Sequence, residues 1–144
     1  MKYKEEIIIR QSRGRVIELF DNPENMKEWQ PDLVSFKQMS GMAGYEGAKS
    51  KLIYKIGKRE VEMIETVTKR DLPDEFAGSY ETKGVLNTVR NNFEAMGADS
   101  TKWIVETEFK FSGLMNVFAW LMPGTFKKQT RDFMRSFKEF AEMS

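Results

Sequence analysis

Hydrophobic and polar residues alternate along most of the chain, which is the two-residue period of a β-strand with one buried face. The alternation is clearest in "TKWIVETEFKF", where Trp103, Val105, Thr107 and Phe109 share one face and charged residues dominate the other. This pattern implies an antiparallel sheet with one covered face. It predicts strands over 2–10, 33–40, 48–56, 59–70, 76–83, 85–96 and 101–111.

Between the first two strands the pattern changes to that of a helix. Ser12 is a suitable N-cap, and Val16, Leu19 and Phe20 follow at the i, i+3, i+4 spacing of one helical face. The helix must be short, because the pair Asn22-Pro23 interrupts it.

A second short helix is predicted within "DNPENMKEWQPDLV", residues 21–34. Asn22 is a good N-cap, and Pro23 suits the first helical position, where no N–H is needed. Met26 and Trp29 lie three residues apart and share a face, and Pro31 ends the helix. Trp29 is therefore either a plug of the core or a contact for a ligand.

The carboxyl-terminal region is predicted to be helical. Its first part, "SGLMNVFAWLMPG" at 112–124, is apolar and interrupted at Pro123-Gly124. Phe118, Trp120 and Leu121 within it fit a cavity lid, a dimer patch or a transient membrane contact. The second part is an amphipathic helix with a basic opposite face. Its apolar stripe consists of Phe126, Phe133, Phe137, Phe140 and Ala141.

The residue types that the chain lacks exclude several kinds of chemistry. It has no Cys and no His, which excludes disulfides, Cys-ligated zinc, thiol nucleophiles and His-dependent catalytic triads. Neither a metal site nor a cofactor is predicted, so any catalysis must use carboxylates, Tyr, Lys, Arg or bound water. The 10 Met residues fit either a Met-rich core or a Met-lined pocket.

Length, charge and the first residues indicate one soluble domain over 1–144. The chain has 144 residues, of which 40% are hydrophobic and 31% charged, as in an ordinary globular domain. The net charge of +1 selects neither nucleic acid nor a membrane surface. The start, "MKYKEEIIIRQ", resembles neither a signal peptide nor a membrane span, so we expect a cytoplasmic protein without stable membrane insertion, as a monomer or homodimer.

The Gly-rich stretch "SGMAGYEG", residues 40–47, does not predict a phosphate site. A phosphate-binding loop needs a helix N-terminus after its glycines, and here a strand follows. We expect a hairpin loop at the mouth of a cavity.

The order of elements resembles that of a known superfamily. A strand, two short helices, about six strands and a long last helix, with "RVIELFDNPENMKEWQPDLVSFK" early and "LMPGTFKKQTRDFMRSFKEFAE" late, resemble the START-like, Bet v 1-like (SRPBCC) superfamily. That superfamily includes polyketide cyclase/dehydrase-like and lipid-transfer proteins. The resemblance implies an α+β helix-grip fold, in which a curved seven-stranded antiparallel sheet wraps around the long helix. It also implies an apolar cavity between sheet and helix, closed at one end by the short helices and Trp29.

Glu65 is the sharpest candidate for chemistry. It lies two residues from Met63 and two residues from Val67, so all three side chains point to the same, apolar face of the strand. A carboxyl facing an apolar cavity has a raised pKa and can act as acid or base. The alternative is that Glu65 lies at the rim of the sheet, or pairs with Arg90 or a Lys.

Other residues of the same parity are candidate lining residues. Tyr54 and Tyr80 either face a ligand or place their hydroxyls in water. Asn87 and Asn91 either orient a polar group of a ligand or face solvent after a bulge. The aromatic residues are wall or core. The predicted cavity residues are Trp29, Tyr54, Met63, Glu65, Tyr80, Asn91, Trp103, Thr107, Phe109, Phe133 and Phe137.

Three functions remain open from the sequence. The first is a binding or carrier protein for a small hydrophobic molecule such as a lipid, polyketide or isoprenoid. The second, implied by the resemblance, is a cyclase/dehydrase-type enzyme that uses Glu65, Tyr54 or Tyr80 as acid or base. The third is a protein-interaction or stress-related module that uses its outer sheet face or the "FAWLMPG" patch, residues 118–124.

Overall fold

The computed structural model describes residues 1–113 and 123–144 and shows, within them, seven strands and three α-helices. The helices are α1 (Arg13–Phe20), α2 (Met26–Trp29), which follows a 3-10 turn at Pro23–Asn25, and α3 (Pro123–Glu142). The predicted segment with Phe118, Trp120 and Leu121 lies outside the described residues. The strands are β1 (Lys2–Ile9), β2 (Leu33–Ser40), β3 (Lys49–Ile56), β4 (Arg59–Asp71), β5 (Glu75–Thr82), β6 (Val85–Ala95) and β7 (Thr101–Phe111).

All seven strands form one antiparallel sheet in the order β1-β7-β6-β5-β4-β3-β2. Strands β2 to β7 are joined in sequence as hairpins. The first strand, β1, pairs with the last one, β7. The predicted seven-stranded sheet, with a long carboxyl-terminal helix and two short helices after the first strand, is confirmed.

The short helices form where their capping residues predict. The Ser12 hydroxyl accepts a hydrogen bond from the Arg15 amide, and the Asn22 side chain accepts one from the Glu24 amide. The second helix is a 3-10 turn followed by one α-helical turn that ends at Trp29. Both helices bring apolar side chains to the same end of the sheet.

Helix α3 runs along the edge strand β1. The Tyr3 hydroxyl donates to the Phe126 carbonyl at 2.9 Å, Lys138 Nζ donates to the Ile8 carbonyl at 2.6 Å, and Gln11 Nε2 donates to the Ala141 carbonyl at 2.9 Å. Three bonds spread over this length fix the direction of the helix on the sheet.

The start of α3 and its apolar stripe differ in detail from the prediction. The helix contains Pro123 and Gly124 instead of beginning after them, because Pro is accommodated in a first turn, where its missing N–H has no partner to lose. Within the predicted stripe, Phe137 and Ala141 are fully buried, but Phe133 is 38% exposed, and Met134 takes a buried place that the stripe did not include.

The core lies at the end of the sheet that α1 and α2 close. Trp103, Phe93 and Phe137 are almost entirely buried there, together with Val16 of α1 and Trp29 of α2. The rings of Trp103 and Phe137 meet edge-on at 5.2 Å, and so do those of Trp29 and Phe137 at 4.9 Å. Since Trp103 meets α3 in this way, its face of the sheet is the concave, helix-covered one.

Candidate functional site

A row of polar side chains crosses the concave face of the sheet through five neighbouring strands. Gln38 lies opposite Ser50, Ser50 opposite Glu65, Glu65 opposite Tyr80, and Tyr80 opposite Asn87. Cross-strand partners point to the same side of a sheet. Asn87 is an even number of residues from the buried Phe93 on the same strand, so both side chains point to the helix-covered face. The whole row therefore lies on that face. We call these five residues the polar row.

The polar row lies between apolar neighbours, and all of its members except the buried Ser50 are partly accessible. Leu52 and Val67, two residues away from Ser50 and Glu65 on the same face, are buried. Glu65, Tyr80 and the neighbouring Met63 are only partly buried. The row therefore borders a space on the concave side that solvent enters.

Glu65 occupies the middle of this row. Its cross-strand neighbour is Tyr80, which lies directly opposite it on β5. Among the described residues Glu65 forms no ion pair, and Arg90 pairs with Glu106 at 3.4 Å instead. Burial raises the pKa of Glu65, and the nearby Tyr80 hydroxyl opposes this only in part. The carboxyl group therefore keeps its proton to a higher pH than an exposed one does.

Tyr54 connects this region to the short helix α2. Its hydroxyl donates to Gln30 Oε1 at 2.6 Å, and Gln30 directly follows Trp29. Burial raises the pKa of Tyr54, and the charge of Glu65 raises it further. Tyr80 has its pKa raised by the same two causes, so both phenols stay protonated. Tyr54, Glu65 and Tyr80 form one electrostatically coupled group.

The aromatic residues at the closed end divide into core and wall. Trp29 is 4% exposed, so it plugs the closed end. Its ring meets that of Phe133 edge-on at 4.7 Å, and Phe133 also approaches Trp103 at 6.2 Å. Phe133 nevertheless exposes 38% of its surface, which is consistent with the wall of an open space. Trp29 Nε1 is buried without a hydrogen-bond acceptor among the residues that the structure describes.

Asn91 and Trp103 have structural partners. The indole Nε1 of Trp103 donates to Asn91 Oδ1 at 3.0 Å, and Asn91 Nδ2 donates to the Phe76 carbonyl at 3.2 Å. Both polar ends of the Asn91 amide are therefore occupied. Phe137, which is fully buried, belongs to the same core.

Thr107 and Phe109 lie at the other end of the polar row. Thr107 Oγ1 accepts a hydrogen bond from Asn87 Nδ2 at 2.6 Å. Phe109 lies opposite Asn87, and its ring stacks on Tyr3 at 6.2 Å and contacts that of Phe126 at 5.0 Å. These contacts join the end of the row to β1 and α3.

Three polar residues of this region escaped the sequence reasoning. Ser50 has the parity of Tyr54, which would have been sufficient to include it. Gln38 follows a bulge in β2, which breaks simple alternation. Gln30 lies at the end of a short helix, and no sequence pattern indicates that it meets Tyr54.

Other features of the described surface do not coincide with the polar row. An open depression of about 550 Å³ is bordered by Lys4, Arg13 and Asp74. Another, of about 450 Å³, lies between α2 and α3 beside Pro31 and Phe140. Within 1–113 and 123–144, no three acidic side chains gather as metal ligands. None of the described helices is both long and apolar enough to span a bilayer.

Comparison with known proteins reveals similarity of fold. No protein-family model and no curated protein matches the chain. Ara h 8.0201 is 12% identical with a TM-score of 0.80, over 100% of this chain and 99% of that one. The ZhuI aromatase/cyclase of Streptomyces sp. R1128 is 8% identical with a TM-score of 0.84, over 99% of this chain and 93% of that one.

A third similar structure contains ligands. Norcoclaurine synthase of Thalictrum flavum, in complex with dopamine and hydroxybenzaldehyde, is 12% identical with a TM-score of 0.73, over 97% of this chain and 85% of that one. These neighbours are Bet v 1-like (SRPBCC) proteins, and the chain has their helix-grip fold. At identities this low the likeness concerns the fold, and the function has to be argued from the site.

Proposed function

We propose that this protein with a Bet v 1-like helix-grip fold binds a small hydrophobic molecule between the concave face of its sheet and α3. The observation that carries the proposal is an accessible concave face that combines apolar walls with a few converging polar groups. Such a combination is typical of small-molecule sites, in which apolar contacts supply affinity and polar groups supply orientation. The proposed ligand is of lipid, polyketide or isoprenoid type.

The position of α3 supports this proposal. The helix is held to β1 at one edge of the sheet, while Glu65 and Tyr54 lie on β4 and β3, near the opposite edge. Phe133 of α3 is 38% exposed, and Met63 of β4 is only partly buried. Apolar side chains left accessible within a concave face are what an apolar ligand would cover.

The proposal is tested first by native mass spectrometry of freshly purified protein, followed by solvent extraction and identification of released molecules. In parallel, the protein is titrated with the neutral apolar dye N-phenyl-1-naphthylamine. We expect a discrete copurified mass or saturable binding of the dye with one site per chain. A clean apo mass together with no saturable dye binding would overturn the proposal and favour an interaction module.

A second candidate is an enzyme of the cyclase/dehydrase type, favoured by the pairing of Glu65 with Tyr80. An acid–base step at a carbon next to a carbonyl group needs a carboxyl that can take up a proton, beside a hydroxyl that stabilises the oxygen. Burial raises the pKa of Glu65, which suits that role. The Tyr80 hydroxyl, next to Glu65, would orient the carbonyl oxygen.

The enzyme is tested with a short poly-β-ketone thioester, by following the absorbance of the aromatic ring that closure and loss of water produce. For catalysis by Glu65 we expect Glu65→Gln to lower the rate by roughly 100-fold or more, with dye affinity unchanged. Turnover equal to that of the wild type in this variant would remove Glu65 from the mechanism.

A further inference from the structure

The hydrogen-bond donors of the polar row are already used within the protein. Gln38 Nε2 donates to two backbone carbonyls at 2.8 and 3.2 Å, and the Ser50 hydroxyl donates to Gln38 Oε1 at 2.9 Å. Asn87 Nδ2 donates to Thr107 Oγ1 at 2.6 Å and to the Glu108 carbonyl at 3.2 Å. Since an amide nitrogen has two protons and a hydroxyl has one, these side chains have no donor left.

The two tyrosines border the same region. The Tyr54 hydroxyl donates to Gln30 Oε1 at 2.6 Å, and Tyr80 lies directly opposite Glu65 on the neighbouring strand. Each phenol oxygen retains acceptor capacity, as does the Glu65 carboxylate. Around Glu65 the described residues therefore offer lone pairs from several oxygens and no cation.

A ligand that complements this arrangement must bring both donors and positive charge. A buried carboxylate without a cationic partner is costly, and a cation within hydrogen-bond distance removes much of that cost. A hydroxyl offers one donor and no charge, and a carboxylate offers neither. An ammonium group offers both.

We propose that the ligand is an amphipathic amine, whose ammonium group is bound by Glu65 with Tyr54 and Tyr80 and whose apolar part lies toward Phe133. The link through Gln30, which joins Tyr54 to the Trp29–Phe133 pair, places the polar and aromatic parts of the site next to each other. This inference rests on the proposed binding function and specifies the chemical class that the site selects.

The test compares three ligands of equal chain length: octylamine, 1-octanol and octanoate. Each is titrated at neutral pH against the protein loaded with N-phenyl-1-naphthylamine, and the displacement of the dye is measured. We expect octylamine to bind roughly tenfold or more tightly than 1-octanol, because charged hydrogen bonds are the stronger ones, and octanoate to bind most weakly. This ranking in the wild-type protein needs no variant, so it does not depend on whether a substitution folds.

Two variants locate the selectivity. In Glu65→Gln the preference for the amine should disappear while 1-octanol binds as before. The matched control is Glu62→Gln on the same strand, whose side chain is 57% exposed and lies 3.6 Å from Lys51 on the outer face. It removes the same charge from the protein, so it should leave the ranking intact.

The outcomes separate this inference from the binding proposal. If 1-octanol or octanoate binds as tightly as octylamine, or if none displaces a dye that does bind, the amine inference is overturned and the binding proposal stands. If Glu62→Gln abolishes the preference as fully as Glu65→Gln, net charge explains it and the inference is overturned. If the dye does not bind and no molecule copurifies with the protein, both proposals fail.

Discussion

At the scale of single residues, the two buried indoles Trp103 and Trp29 differ in one hydrogen bond. Trp103 Nε1 donates to Asn91, which is itself 6% exposed, whereas Trp29 Nε1 has no acceptor among the described residues. Removing one partner of a buried hydrogen bond leaves the other partner unsatisfied, which costs free energy. Removing a buried donor that has no acceptor does not add such a cost. The two tryptophans therefore contribute to stability in different ways although both are core residues.

We predict that Trp103→Phe lowers the free energy of unfolding more than Trp29→Phe does, by roughly 1–3 kcal/mol. Both substitutions remove similar apolar volume, so the difference isolates the hydrogen bond to Asn91. Urea denaturation followed by far-UV circular dichroism measures both values. Equal losses would show that the Asn91 bond contributes nothing net.

Glu65 gives the protein a specific dependence of stability on pH. Because burial raises its pKa above the ordinary 4.5, the folded state binds this proton more tightly than the unfolded state does. The resulting stabilisation is fully present below the unfolded pKa and is lost as the pH rises through the folded pKa. Asp132 and Glu142, whose pKa values are lowered by hydrogen bonds from Lys128 and Lys138, act in the opposite direction.

We therefore predict that Glu65→Gln becomes increasingly more stable than the wild type as the pH rises from about 4 to about 8. Taking the difference between the two proteins cancels the contributions of Asp132 and Glu142. Urea midpoints at four pH values measure it. A difference that is constant with pH would mean that Glu65 has an ordinary pKa in the folded protein.

At the scale of elements, Arg70 joins β4 to α1 and to the loop between β2 and β3. Its guanidinium donates to both carboxylate oxygens of Asp21 at 2.9 and 2.6 Å and to the Gly44 carbonyl at 2.8 Å. The guanidinium also lies 4.5 Å from the centre of the Tyr45 ring. Gly44 has a φ of +81°, and a Cβ there would lie 2.9 Å from Arg70 Nη1. The Gly-rich loop is thus fastened at this point.

We predict that Arg70→Lys lowers the free energy of unfolding by roughly 1–2 kcal/mol, because a point charge cannot replace the two-pronged contact. Amides of the loop, residues 41–48, should exchange faster with solvent. The matched control is Arg135→Lys, whose side chain is 63% exposed and 3.5 Å from Asp132, and which should change stability by less than about 0.5 kcal/mol. Equal effects would argue against a special role of Arg70.

Helix α3 contains two phenylalanines, one turn apart, which we expect to contribute differently to stability and to ligand binding. Phe137 is fully buried among Trp29 and Trp103, whereas Phe133 is 38% exposed beside the same two rings. Burial in the core makes a side chain important for stability, and exposure toward a binding space makes it important for affinity.

We predict that Phe133→Ala weakens binding of N-phenyl-1-naphthylamine by about tenfold and lowers the free energy of unfolding by less than about 2 kcal/mol. Phe137→Ala should lower that free energy by about 3–5 kcal/mol. Met143→Ala, at an 89% exposed side chain directly after the same helix, is the control and should change neither quantity. Unchanged dye affinity in Phe133→Ala would exclude this wall from the site.

At the scale of the whole molecule, one sheet connects nearly every element. Strand β1 pairs with β7 and also packs against α3. The first strand of the chain therefore stabilises its last strand and its last helix. We predict that the chain unfolds in one cooperative transition, with coincident midpoints by tryptophan fluorescence and far-UV circular dichroism. Two separated transitions would contradict the expectation of a single domain over 1–144.

Much of the fold could be predicted from local patterns. Alternation locates strands because side chains of a strand point to opposite faces, and capping residues locate helix starts because they satisfy free amides. The same parity places Glu65, Tyr80 and Asn87 on one face. Alternation alone does not show which residues of different strands lie opposite each other, because that depends on strand register and on the bulges in β2.

The chain's periodicity and its prolines were sufficient to predict the seven strands and the described helices, because these elements depend on residues near one another in sequence. The lack of Cys and His was sufficient to exclude thiol and imidazole chemistry. Tertiary structure alone decided that Tyr54 meets Gln30, that Arg70 joins α1 to a distant loop, and that Glu65 lies opposite Tyr80 with no cation paired to it among the described residues. Those contacts join residues far apart in the chain, and only the folded sheet, through its register and its helix, brings them within hydrogen-bond distance.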